Sequence, residues 1–110
     1  MEVIKSKSGK AIVAAVRGRI DTITAPDFEK IITEIMEGEN TSLLLDCGEL
    51  EYISSAGLRS ILVISKKLKL KGLFVYFSCL QGNVKEVFNI SGFGSIFKIF
   101  NTKEEALKSL

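Results

Sequence analysis

The chain of 110 residues contains no histidine and only two cysteines. Without histidine, metal sites that use imidazole ligands and acid–base catalysis by histidine are excluded. The cysteines, Cys47 and Cys79, have neither the spacing of a metal site nor the pattern of a disulfide framework. We therefore expect no metal and no cofactor, and a reduced, cytoplasmic environment.

Long apolar runs are also missing from the sequence. A typical apolar run, AIVAAV at residues 11–16, is far shorter than the roughly 20 residues that a membrane-spanning helix needs. The first ten residues are mixed and charged, unlike a signal peptide, in which an apolar run follows a basic stretch. We expect neither a membrane span nor a targeting segment.

The charged side chains almost balance, with 15 basic and 13 acidic residues and a net charge of +2. This balance supplies no general attraction to nucleic acid or to an anionic membrane. Lysines gather at positions 66, 67, 69 and 71, and we interpret them as a solvated helix face because no aromatic residues are interleaved. The length and the hydrophobic content of 46% are those of one globular domain, residues 1–110.

Short apolar runs alternate along the chain with amphipathic segments. The runs predict buried strands near residues 11–17, 43–47, 73–78 and 96–100. The amphipathic segments predict helices near 25–37 and 56–70, a third around Val84, Val87 and Phe88, and a terminal one that begins with a capping box at Thr102 and Glu105. The alternation predicts an α/β domain, with a mixed, mostly parallel sheet of four to five strands and helices mainly on one face.

Several boundaries of these elements have specific signals. Thr24 stands where the first helix would have its N-cap, and Pro26 and Asp27 suit the first turn. The apolar residues of this helix share one face: Phe28, Ile31, Ile32, Ile35 and Met36. Gly38 is expected to end it, Ser91 and Gly92 to end the third helix, and the two cysteines to lie at the ends of neighbouring parallel strands.

The stretch DCGELEYISSAGLRSIL, residues 46–62, is the most informative part of the sequence. A strand is expected to end at Asp46, and a loop leads to Ser54 and Ser55 at the start of the second helix. A hydroxyl there faces unpaired N–H groups and the positive end of the helix dipole. A phosphate on such a serine would be accommodated by its own helix and would present a new negative charge to a partner.

Three segments resemble the STAS-domain anti-sigma factor antagonists, the family of the sporulation and general-stress anti-anti-sigma factors. Ser55, Gly57 and Leu58 match the serine, glycine and leucine of the family's phosphorylation loop, Asp-Ser-(Ser/Thr)-Gly-Leu. GRIDTITA (18–25) resembles the family's Gly-x-(Leu/Ile)-Asp-x-x-Thr-Ala segment. NVKEVFNISGFGSIFKIF (83–100) resembles its Val-x-x-x-Phe-x-x-Ser-Gly segment. The segments occur in the family's order and cover nearly the whole chain.

The loop departs from the family's pattern at two positions. Ser54 stands in place of the aspartate, and Ala56 in place of the second hydroxyl residue. The second change leaves Ser55 as the expected phosphorylation site, with Ser54 as its only rival in the loop.

The resemblance implies a regulatory binding protein and not an enzyme, and no catalytic base accompanies the serines. The unmodified protein would bind a cognate anti-sigma factor, itself a serine kinase, and so free the sigma factor. The kinase would phosphorylate Ser55, and a phosphatase would reset the switch. The residues expected to face the partner are Asp21, Thr22, Asp46, Ser54, Ser55, Ala56, Gly57, Leu58 and Arg59.

Alternatives remain open for single residues and for the whole protein. Ser55 could be only an N-cap, Asp21 only a loop residue that bonds nearby amides, and Asp46 only a turn former. The protein could be a STAS scaffold subunit of a stress-signalling or lipid-transport complex in which Ser55 is never phosphorylated. It could also bind nucleotides weakly, although the sequence contains no P-loop and no glycine-rich phosphate fingerprint.

Overall fold

The computed structural model describes residues 1–110, and its five strands form one sheet in the order β1-β2-β3-β4-β5. The strands are β1 (Glu2–Ser8), β2 (Ala11–Ile20), β3 (Ser42–Ile53), β4 (Val75–Ser78) and β5 (Lys98–Phe100). β1 is antiparallel to β2, and all other neighbours are parallel. The helices are α1 (Ala25–Met36), α2 (Ser55–Lys69), α3 (Gly82–Ser91), α4 (Phe93–Ile96) and α5 (Lys103–Ser109). The predicted α/β class is confirmed.

Strand boundaries are the part of the fold that the apolar runs predict least well. No strand is predicted over residues 2–8, yet β1 forms there as an edge strand, where lysines and serines remain in solvent. β3 is predicted to end near residue 47, but it pairs with β2 as far as Ile53 and buries Leu50. β4 begins at Val75 and β5 at Lys98, each two residues later than predicted.

The main core lies between one face of the sheet and helices α1 to α4. Alternate residues of β2 and β3 point into it, including Ile12 and Leu45, and they pack with Phe28 of α1 and Ile61 of α2. The other face of the same strands packs against Ala106 of α5. Because β2 and β3 are covered on both faces, they have continuous apolar runs. The expectation that helices lie mainly on one face is confirmed, with α5 as the exception.

The helix ends follow most of the predicted signals. Gly92 adopts the left-handed conformation (φ 80°) and ends α3. The Thr102 hydroxyl accepts a hydrogen bond from the Glu105 amide at 3.1 Å at the start of α5. Thr24 is the N-cap residue of α1 as predicted, but its side chain makes no cap bond, because its hydroxyl donates to the Arg19 carbonyl at 2.9 Å. None of the helices has both the length and the apolar character that a membrane crossing requires.

The start of α2 is held against the ends of β2 and β3. Ser54 has an extended backbone (φ −94°, ψ 174°), and its hydroxyl accepts a hydrogen bond from the Gly57 amide at 3.2 Å, so Ser54 is the N-cap. The Ser54 amide donates to the carbonyl of Ile20, the last residue of β2, at 2.8 Å. The alternative in which Ser55 is the cap is therefore wrong: Ser55 is the first residue of the helix.

Gly57 makes this close approach possible. A Cβ atom at this position would lie 2.7 Å from Cγ1 of Ile53 and 2.8 Å from Cγ2 of Ile20. Nonbonded carbon atoms prefer separations of about 3.5–4.0 Å. Any larger residue would therefore push the first turn of α2 away from the two strand ends that position Ser54 and Ser55.

Gly57→Ala is expected to lower the free energy of unfolding by about 1–3 kcal/mol, because the added methyl group overpacks the contact with Ile20 and Ile53. This loss occurs although alanine has the higher helix propensity. The measurement is urea denaturation followed by circular dichroism. The matched control is Gly94→Ala in α4, where an added Cβ would have nothing within 4 Å and the change should stay within about 0.5 kcal/mol. Equal stability of the two variants would contradict the tight packing at Gly57.

Candidate functional site

The candidate site is the surface around the start of α2, at the edge of the sheet where the parallel strands β2 and β3 end. In open α/β sheets this edge is where binding groups collect, because several loops and helix starts meet there. The β2–α1 loop, residues 21–24, lies beside it, since Ser54 is bonded to Ile20 at the start of that loop.

Ser55 is the most accessible hydroxyl of this helix start. Its side chain is exposed and makes no hydrogen bond within the protein. The first turn of α2 contains no acidic residue, and the exposed Arg59, one turn further on, makes no ion pair. The helix dipole and this guanidinium group together make the surroundings of Ser55 favourable for an anion.

Ser54 differs from Ser55 although the two serines are adjacent. It is half-buried, and its hydroxyl is engaged with the Gly57 amide. To react, it would have to give up the cap of α2. Of the two serines considered in the sequence, Ser55 therefore has a free hydroxyl, whereas the hydroxyl of Ser54 is engaged in a hydrogen bond.

Asp21 has a structural role within the β2–α1 loop. Its carboxylate accepts hydrogen bonds from the amides of Ile23 and Thr24, both at 3.0 Å. The bonds from Thr24 and Ile23 hold the pKa of Asp21 below its usual value, because they stabilise the ionised form. This geometry agrees with the alternative that Asp21 bonds nearby amides, and the rigid turn that results presents Thr22 and Ile23 to solvent.

Ile23 is a candidate that the sequence analysis misses. Its side chain is 84% exposed, in a loop that adjoins the start of α2. Its apolar area would be removed from water if a partner covered the surface around Ser55. The only signal in the sequence is an isoleucine between two threonines, which does not distinguish an exposed residue from a buried one.

A shallow groove separates the first turns of α1 and α2. Its volume is about 300 Å³, and Thr22, Ala56 and Arg59 are among the residues that line it. The structure thus brings together three of the residues predicted to face a partner, next to Ser55. Gly57 is buried and Leu58 half-buried against the main core, so these two position the helix.

Asp46 is not brought to this site. It lies inside β3, seven residues before Ile53, where its carboxylate accepts a hydrogen bond from the Gly48 amide at 3.2 Å. At about 3.3 Å per residue, the rest of β3 separates it from the start of α2 by on the order of 20 Å. The expectation that β3 ends at Asp46, which placed this residue beside Ser55, is wrong.

Neither cysteine lies at this surface, because Cys47 follows Asp46 in β3 and Cys79 follows Ser78, the residue of β4 that pairs with Asp46. Cys79 follows the last residue of β4 as predicted, whereas Cys47 lies inside β3 and not at its end. Both are free, and burial raises the pKa of the Cys47 thiol. A buried thiol with a raised pKa is a weak nucleophile at neutral pH.

Comparisons with known proteins agree with this architecture. A family model of the STAS domain matches residues 2–106. BtrV of Bordetella bronchiseptica, which is named as an anti-sigma factor antagonist, is 37% identical over 108 residues, which are 96% of this chain and 91% of BtrV. RsfB of Mycobacterium tuberculosis, an anti-sigma-F factor antagonist, is 31% identical over 97 residues, which are 86% of this chain and 77% of RsfB.

The fold is also similar to that of solved structures. The anti-sigma factor antagonist SpoIIAA in its unphosphorylated form is 17% identical and has a TM-score of 0.82, with 98% of this chain and 95% of that chain covered. The Bacillus SpoIIAA in the phosphorylated form is 21% identical and has a TM-score of 0.72, with 98% of both chains covered. From the family model, the curated relatives and the shared fold, this chain belongs to the STAS domain family and to its anti-sigma factor antagonists.

Proposed function

We propose that this protein binds an anti-sigma factor while Ser55 is unmodified and releases it when Ser55 carries a phosphate. The observation that carries the proposal is the state of Ser55, an exposed hydroxyl with no internal partner on a helix start that Ser54 caps separately. Phosphorylation of Ser55 would leave the cap of α2 intact. The change could therefore alter binding without unfolding the helix.

The family to which the chain belongs supports an anti-sigma factor as the partner, since BtrV and RsfB are named for that activity. The contact would use the exposed surface around Ser55, with Ile23 as an apolar anchor and Arg59 as a hydrogen-bond donor. All three side chains are free of internal ion pairs and side-chain hydrogen bonds. The proposed partners act in the cytoplasm, which is also the compartment we propose for this protein.

The anti-sigma factor is proposed to be a serine kinase that uses ATP. Its base would take the proton of the Ser55 hydroxyl, the oxygen would attack the γ-phosphorus, and ADP would leave. The product would carry about −1.5 to −2 charge at neutral pH. The N-terminus of α2 can accommodate this charge, but a partner pressed against it would have to desolvate the dianion, which costs several kcal/mol unless a cation pairs with it.

The replacement of the family's aspartate by Ser54 preserves the start of α2. Aspartate and serine are both favourable N-caps, so the replacement keeps the helix start. It also removes a negative charge beside the residue that would receive the phosphate. A phosphatase that hydrolyses the phosphate on Ser55 would complete the cycle.

A second candidate function is a scaffold role in a stress-signalling or lipid-transport complex, in which Ser55 is never phosphorylated. The loss of the family's aspartate at position 54 is the observation that favours it. The same surface around Ser55 would then remain permanently in contact with another subunit of the complex. Whether a kinase modifies Ser55 separates the two functions.

Incubation with the cognate anti-sigma factor and ATP is expected to add one phosphate to Ser55, because this hydroxyl is exposed and unengaged. Peptide mapping by mass spectrometry is the measurement. Ser55→Ala should abolish the modification. The matched control is Ser54→Ala, which changes the neighbouring serine and should still be modified. Modification of Ser54 alone, or of neither serine, would contradict the proposal, and the second result would favour the scaffold.

Ser55→Asp is expected to weaken binding of the anti-sigma factor by about tenfold, because one carboxylate enters the desolvated contact. Ser55→Ala should bind like the wild type. Isothermal titration calorimetry measures both affinities. Aspartate suits the first turn of a helix, so circular dichroism should show both variants folded. Equal affinity of all three proteins would mean that Ser55 lies outside the contact.

Ile23→Ser is expected to weaken the same binding by roughly five- to tenfold, because it removes apolar area from the contact. The matched control is Ile90→Ser in α3, which is similarly exposed, at 87% against 84% for Ile23. Both changes should leave stability almost unaffected, since neither side chain is part of the core. An equal loss of affinity in the two variants would rule out a specific role for Ile23.

A further inference from the structure

A second groove lies at the opposite edge of the sheet from Ser55. It runs between the end of α2, the start of β4 and the segment from α4 to β5, and its volume is about 530 Å³. The residues that line it include Val75 of β4, Phe74, Ile96, Lys69 and Lys98. Helix α2 has 15 residues, so at about 1.5 Å per residue its two ends are on the order of 20 Å apart. A ligand in this groove would not compete with a partner at Ser55.

The groove exists because β5, an edge strand, is shorter than β4, its only strand neighbour. β5 pairs with β4 only from Tyr76 to Ser78, since the chain before Lys98 forms α4 and turns away. On the other side, β3 pairs with Val75, and the Leu43 amide donates to the Phe74 carbonyl at 3.0 Å. The Phe74 amide is engaged as well, with the Ser42 hydroxyl at 3.0 Å, and no residue of β5 lies opposite Phe74 or Val75. The space beside these two residues is therefore open, and a segment of another chain can enter it through side-chain contacts.

The walls of the groove are apolar and exposed. Phe74 is 58% and Ile96 61% exposed, and the neighbouring Leu70 at the end of α2 is 89% exposed. The Phe74 ring packs against the Tyr76 ring, with ring centroids 6.4 Å apart. Apolar surface collected in a cleft and bordered by polar side chains is typical of an interaction site, in contrast to single apolar residues scattered over a surface.

The polar border of this groove is basic. Its lining contains Lys69 and Lys98 and no acidic residue. Lys66 and Lys71 lie at the same end of α2, and none of these four lysines makes an ion pair. Of the lysines that the sequence suggests are a solvated helix face, Lys69 thus borders exposed apolar side chains. The net charge of +2 does not disclose this local excess of positive charge.

We propose that the groove binds an extended acidic segment of a partner protein. Apolar side chains of the segment would pack between Phe74 and Ile96, and its carboxylates would pair with Lys69 and Lys98. A second copy of this chain fits less well, because a two-fold contact would bring the same lysines towards each other. A membrane surface fits less well too, because Phe74 and Ile96 line the two sides of a cleft and do not form one flat apolar face.

The test is titration of the isotope-labelled full chain with a nine-residue peptide of alternating acidic and leucine residues, followed by NMR. Two matched peptides serve as controls, one with amides in place of the carboxylates and one with serine in place of leucine. The acidic apolar peptide should shift the resonances of the residues that line the groove, and those of Ser55 and Arg59 should not move. Its affinity should fall with added salt, because lysine–carboxylate pairs are screened.

Variants of the groove should separate the two parts of the interaction. Phe74→Ala and Ile96→Ala should each weaken binding of the peptide about fivefold. The double change Lys69→Glu and Lys98→Glu should weaken it at least about tenfold and reverse the salt dependence, because salt then screens a repulsion. The controls Ile90→Ala and Lys30→Glu, exposed residues on α3 and α1, should bind like the wild type. Because the changed side chains are exposed, all variants should remain folded.

Several results would overturn the proposal. The acidic peptide could fail to shift the resonances of the residues that line the groove. The amide peptide could shift them equally, or the control variants could lose as much affinity as the groove variants. Sedimentation with vesicles of phosphatidylserine and phosphatidylcholine tests the membrane, and sedimentation velocity tests self-association. Vesicle binding or dimer formation that the groove variants abolish, without peptide binding, would assign the groove to a bilayer or to a second copy instead.

Discussion

The arrangement of the candidate site depends on the contact between the first turn of α2 and the ends of β2 and β3. Gly57 leaves no space for a side chain between itself and Ile20 and Ile53, and the Ser54 amide is bonded to the Ile20 carbonyl at 2.8 Å. One glycine and one hydrogen bond therefore decide where the helix begins and how it leaves the sheet. If the contact were looser, the neighbouring β2–α1 loop and the start of α2 would not share a surface.

This contact allows two adjacent serines to have different tasks. Ser54 faces back towards the helix and satisfies the Gly57 amide, whereas Ser55 points to solvent. A phosphorylation site that was also the cap would lose helix stability with each cycle of modification. With the cap on its neighbour, the phosphorylation that we propose for Ser55 would add charge while the backbone around it keeps its hydrogen bonds.

Helix α2 also connects two surfaces of different character. Its N-terminal end has the free hydroxyl of Ser55 and the guanidinium group of Arg59, and its C-terminal end has lysines beside the apolar groove of Phe74 and Ile96. Cations at the C-terminal end suit the helix dipole, so these lysines stabilise the helix whether or not a partner binds. Two partners could occupy the ends together, because the helix holds them far apart.

The sequence by itself determined the elements whose apolar pattern is regular. The runs in β2 and β3 and the stripes of α1 and α2 follow from burial, and the motifs around Asp21, Ser55 and Ser91 pointed to the family. β1 was not predicted because an edge strand needs no apolar run, and the length of β3 was not predicted because its second half pairs with β2 through mostly polar residues.

The tertiary structure alone decided the roles of individual side chains. Ser54 and Ser55 are chemically identical, and only the backbone conformation at the end of β3 makes the first a cap and the second a free hydroxyl. Asp46 lies away from the site because β3 is longer than its apolar run, and Phe74 and Ile96 line one groove because β5 is short. Such contacts join residues distant in sequence, and they depend on strand lengths and strand order, which local patterns of polarity do not encode.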